Sequence, residues 1–233
     1  MITIEPPVSP ELLQPAPIPG WLDQICEVLA DQAGTTWRPL EATAEAPFVA
    51  VHHWHAGAVA DLIGEAATLQ GRDPIPHEAV RTMHARAATG ESISKSDWHT
   101  VLEPALREVY LLGYPREGVH ARGSSAAASY ARSRGWSPDE AQQYGEAYAR
   151  MNTETGERVY AESNAIANAA AYARAFSAGH GDDYARAWPY ALVRAWIAAY
   201  AGSDGIKGPA ADEARKRLRD GLSEAVTRAR TIT

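Results

Sequence analysis

A chain of 233 residues with 45% hydrophobic and 22% charged side chains has the composition of a globular protein, and excludes a wholly disordered one. The formal net charge is -7, the arginines are spread singly, and lysine occurs only at Lys95, Lys207 and Lys216, which argues against nucleic acid as a partner. The single cysteine, Cys26, excludes an intramolecular disulfide and a Cys-rich zinc site and fits a reducing, cytoplasmic compartment. The chain has no basic start followed by an apolar run and no window of about 18 uninterrupted apolar residues, so neither a signal peptide nor a membrane span is expected.

Residues 1–18 hold Pro6, Pro7, Pro10, Pro15 and Pro17, which fix φ and remove helix donors, so this stretch reads as an extended, proline-rich arm. Residues 19–233 read as one all-helical domain. Leu22, Ile25, Cys26 and Leu29 open the helical periodicity, with Gly34 placed to stop it. A second stripe from Pro47 to Leu69 carries Val51, His52, His55, Val59, Leu62 and Ile63, and a third from Pro76 to Thr89 puts Val80, Met83 and His84 on one face. A fourth helix, from about Ser96 to Leu112, contains Pro104, which predicts a kink there or a helix that starts there.

From Ser124 to Ala201 alanine dominates, and breaks are expected at Gly135, at Asn152 to Gly156 and at Gly179 to Gly181. Ser137-Pro138-Asp139-Glu140 is a helix start with a capping box. Tyr-Ala-Arg recurs at Tyr130, Tyr148, Tyr172 and Tyr184, but the unequal spacing rules out a solenoid. A helix from Thr155 to Ala178 precedes one from Asp183 to Ala201 that Pro189 should bend or break near Trp188, and a last helix runs from Ala210 to about Arg230. The sum is an all-α, alanine-rich bundle of about seven to nine helices.

Two constellations could carry chemistry. His52 and His55 stand at i and i+3 and point the same way, so they can share a proton or a metal, with a further ligand from His77, Glu78 or His84. The Glu-x-x-His spacing of Glu117 to His120 follows Tyr114-Pro115 and reads as a loop. The second constellation is polar: Glu157, Tyr160, Asn164, Asn168 and Tyr172 advance by three or four residues along one helix flank. Asparagine is a poor helix-interior residue, so this flank is a candidate lining for a ligand pocket. No phosphate loop, nucleophile elbow or dinucleotide fingerprint occurs, so no cofactor is implied, and Asp182-Asp183 lacks the third acid of a diphosphate-metal motif.

The reading with the strongest support is a helical protein whose internal pocket either binds a small organic molecule or acts on it by acid-base chemistry. In it, Tyr160, Asn164, Asn168 and Tyr172 orient the ligand, and His52, His55 and His84 supply acid-base catalysis. The alternative is a non-catalytic interaction or scaffold module that holds a partner or forms a homo-oligomer through the arm or the aromatic surface. A histidine metal site ranks third.

Overall fold

The computed structural model describes residues 18–30, 37–39 and 46–231. Every regular element among them is helical: α1 (Gly20–Leu29), α2 (Val49–Trp54), a π-helical turn (His55–Val59), α3 (Ala60–Leu69), α4 (Ile75–Ala88), α5 (Lys95–Leu112), α6 (Arg116–Ser133), α7 (Pro138–Ala178), α8 (Gly181–Arg186), α9 (Pro189–Ala201), a 3-10 turn (Gly202–Asp204) and α10 (Pro209–Thr231). With α2, the π turn and α3 taken as one bent rod, these are nine helices among the described residues, an all-α multi-helix bundle. Except for Ile18, the expected arm at 1–18 lies outside the described residues, as does Gly34.

The core forms where the helical stripes meet. α1 buries Trp21, Leu22, Ile25, Cys26 and Leu29 against α8 and α9. α10 buries Leu218, Leu222 and Val226 on one face and lies across α2 and α9. Trp54 is fully buried beneath α10, and its indole N–H donates to the Leu218 carbonyl at 3.0 Å, which satisfies the one polar atom of a large side chain. α10 comes so close to the π turn that a Cβ on Gly221 would stand 2.1 Å from the Ala58 Cβ, so only glycine fits there.

Three expectations are corrected. Glu117 to His120 is not a loop but part of α6. The break expected at Asn152 to Gly156 is absent, and α7 runs unbroken for 41 residues from its Ser137–Glu140 capping box to Gly179, whose φ of 70° closes it. Gly156 interrupts the alanine pattern for a packing reason: a Cβ there would meet the Tyr114 hydroxyl at 2.9 Å. Pro104 does not start a helix, because α5 begins at Lys95 behind the Ser94 cap; Pro104 lies on its exposed side, as does Thr100, whose carbonyl loses its donor toward water. Near Pro189 the chain does break, with Trp188 at a positive φ of 61° between α8 and α9.

Candidate functional site: a buried histidine cluster

Six elements converge on three imidazoles. His52 comes from α2, His55 from the first position of the π turn and His84 from α4, while Trp98 of α5, Phe176 of α7 and Trp196 of α9 pack around them. The spacing of His52 and His55 turns both rings inward, and Val80, Met83 and His84 carry the inner face of α4 to meet them. The ring centroids of His55 and His84 are 4.3 Å apart, and those of His52 and His84 are 5.2 Å apart. The π turn, with Gly57 at φ -99° and ψ -105°, interrupts the regular helix at the position that presents His55. Such turns are frequent at functional sites.

The polar atoms form two hydrogen-bonded pairs. His52 Nδ1 and His84 Nδ1 are 2.9 Å apart, so one nitrogen carries the proton and the other accepts it. His55 Nε2 lies 3.0 Å from the Tyr184 hydroxyl. His84 is fully buried, and its Nε2 has no hydrogen-bond partner among the described residues. Whichever tautomer His84 adopts, one polar nitrogen is left over, at a cost of about 1–3 kcal/mol.

Burial also sets the charge. Loss of water pushes the His52 pKa down to about 4, with the neighbouring His53 adding a smaller effect. His55 and His84 are held well below the ordinary imidazole value, first by burial and then by the other rings of the cluster. Burial raises the Tyr184 phenol, which therefore keeps its proton. At neutral pH the cluster is uncharged, and every member can accept on one atom and donate from another. Cys26 takes no part; burial pushes its thiol up to about 12, which leaves it unreactive.

The cluster separates two hollows. On one side lies a narrow apolar cavity of about 40 Å³, bordered by His55, His77, Leu102, Val109, Phe176 and Trp196 among other residues that are nearly all buried. One water needs roughly 10–15 Å³ by this kind of measure, so the cavity has room for about three waters or a ring of about five heavy atoms. His77 is buried, its pKa pushed down to about 4 by burial, and its Nε2 also lacks a partner among the described residues. On the other side is a cleft of about 720 Å³ with His52, Phe48, Trp98 and Phe176 among its walls and His53 and Arg228 among its polar residues. His52 thus borders the cleft, His55 borders the cavity, and His84 stands between them.

The tyrosine and asparagine flank lies elsewhere. Asn164 Nδ2 donates to the Tyr160 carbonyl at 2.7 Å, and Asn168 Nδ2 to the Asn164 carbonyl at 2.8 Å, both within α7. Tyr160 is exposed and packs edge-on against Tyr110. Tyr172 is buried and donates to the carbonyl of Trp188, the residue with positive φ. None of the four borders either hollow, and only Tyr172 approaches the histidines, through Phe176 and Tyr184.

Among the described residues no group of three or more His, Cys, Asp or Glu side chains is disposed to hold a metal ion, nor is any helix long and apolar enough to cross a membrane. Sequence reasoning passed over Tyr184, Trp98, Phe176 and Trp196 as site residues. Their only signal was an aromatic at an apolar helix position, which core packing explains equally well. Compared with protein-family models, with curated proteins and with solved structures, the chain matches none.

Proposed function

We propose that the protein binds a small, neutral organic molecule in the cavity beside His55 and His77 and moves protons on it, with His84 and His52 connecting the cavity to the cleft. The observation that carries this reading is the row of uncharged imidazoles between the two hollows, with a buried ring nitrogen left unpartnered in its centre. A folded protein keeps such a costly arrangement where it serves chemistry.

The low polarity of the cavity narrows the reaction. Charge separation there is expensive, so the chemistry that suits it is a concerted shift of a proton between two positions of a neutral molecule. Such a shift needs one nitrogen that donates and one that accepts, and it stays free of charge separation when both belong to the same imidazole. His55 and His77 both border the cavity, and neutral imidazole offers both roles. The imidazole leaves the shift as its other tautomer, and loss of a proton from one nitrogen with uptake at the other returns it to the start.

Pyrazole, a neutral five-membered ring with adjacent donor and acceptor nitrogens, is a suitable probe. Five heavy atoms limit its affinity to about micromolar at best. At millimolar pyrazole, the ring signals of His55 and His77 should shift in NMR spectra and the melting temperature should rise. Both effects should be lost in His77→Leu. Binding that leaves these two rings untouched, or no binding at all, would remove the reading. Native mass spectrometry of the protein as isolated from cells is the companion measurement, with a co-purifying small molecule as the expected result.

A further inference from the structure

α5 and α6 follow one another along α7, antiparallel to it. Arg107 of α5 pairs with Glu162, Tyr110 packs on Tyr160, Arg116 pairs with Glu157, and Ser124 of α6 bonds Glu146. α5 is also packed against α4 and α9, whereas α6 packs substantially only against α7. Residues 116–156 therefore form a two-helix arm that projects from the bundle.

The arm is held by very small side chains. α6 buries Ser124, Ala127, Ala128 and Ala131, and the facing part of α7 buries Ala141, Gly145, Ala149 and Thr153. A Cβ on Gly145 would stand 2.6 Å from the Ser124 carbonyl oxygen, so the two backbones are nearly in contact. The large apolar side chains point outward instead: Tyr130 is 55% exposed, Trp136 49%, Tyr148 42% and Met151 61%. By helical spacing Tyr130, Tyr144, Tyr148 and Met151 fall on one side, opposite the side where Gln142 and Ser124 bond Glu146. Trp136, Tyr144 and Tyr148 make a continuous run of ring contacts there.

We propose that this aromatic side of the arm pairs with the same side of the arm of a second copy, making a four-helix bundle across a two-fold axis. Three features select a second copy. The first is charge: apart from Arg132 and Glu146, which border the opposite side, α6 and its C-cap carry Arg116, Arg122 and Arg134 against Glu117, while the facing part of α7 carries Asp139, Glu140 and Glu154 against Arg150. A two-fold axis that runs along the arms lays the basic helix of each copy over the acidic helix of the other. The second is local neutrality. Those charges cancel over residues 116–156, so two arms meet without the mutual repulsion that the net charge of -7 imposes on the rest of the molecule. The third is area. Two 18-residue helices side by side present a face about 27 Å by 20 Å, so two copies bury roughly 1,000 Å², the lower bound for a specific interface.

The proposal is independent of the histidine cluster. Sedimentation velocity of the full chain tests it, with a dimer expected at micromolar concentration. Tyr130→Glu with Tyr148→Glu should raise the dissociation constant about 100-fold or more. Both side chains are exposed, so helix content and melting temperature in the dilute, monomeric protein should not change. Tyr130→Phe with Tyr148→Phe should still dimerise. A wild-type chain that stays monomeric at about 100 µM, a concentration at which even weak specific pairs form, would overturn the proposal. So would a dimer that the glutamate variant leaves intact.

Discussion

Acidification from pH 7 to pH 4 should remove most of the stability of the fold. In an unfolded chain each histidine titrates near 6.5, whereas burial holds His52 and His77 neutral until about pH 4. Above 6.5 neither state binds the proton, so these groups exert no effect. Between 6.5 and 4 only the unfolded chain takes it up, and stability falls with pH through this window. Below 4 both states are protonated and the loss is complete. A gap of this size is worth about 3 kcal/mol for each of the two residues. His55 and His84 act in the same direction, since burial lowers them too and charging one ring opposes charging the next. Against a typical total of about 5–15 kcal/mol, the sum is enough to unfold the protein in mild acid. Urea unfolding followed by circular dichroism at pH 7, 6, 5 and 4 measures it. Stability that stays level from pH 7 to 4.5 would contradict the assignment of these rings as buried and neutral.

The second large effect is functional and leaves stability almost untouched. His84→Leu keeps the volume and removes the unpartnered Nε2, while costing His52 its Nδ1 partner. Removing the unpartnered nitrogen gains about 1–3 kcal/mol and leaving the buried His52 Nδ1 without its partner costs about as much, so the variant should be about as stable as the wild type. The ring that stands between His52 and His55 is lost, however, and on the proposed reading exchange of the His55 ring proton with deuterated solvent should slow about 100-fold or more. Unchanged exchange would mean that protons reach His55 by another path and that His84 is structural.

Much of this architecture is legible in the sequence, because local rules govern it. The Ser137 to Glu140 capping box, the apolar stripes of α1 and α10 and the halt at Trp188-Pro189 follow from spacing and backbone chemistry within a few residues. The inward direction of His52 and His55 follows from their i and i+3 positions, and that of His84 from Val80 and Met83 on the same face. What spacing does not reveal is which element lies opposite. Asn164 and Asn168 looked like pocket residues because an amide in a helix asks for a partner, yet each finds one in the carbonyl four residues earlier. Gly156 looked like a break until Tyr114 is seen lying against it, and the π turn at His55 has no local signature beyond Gly57. The projecting arm was equally hidden, since an alanine stripe reads the same whether a bundle or a single helix covers it.

The central claim is that His52, His55 and His84 form one uncharged cluster, with His52 and His84 hydrogen-bonded to each other and His55 packed against His84. Long-range nitrogen-proton NMR of histidine-labelled protein, recorded as the pH is lowered from 8 toward 5, tests it most directly. The account predicts that all three rings stay neutral throughout, with His52 and His84 in complementary tautomers joined through their Nδ1 atoms. Titration of any of the three with an ordinary midpoint near 6.5 would place that ring in water and contradict it.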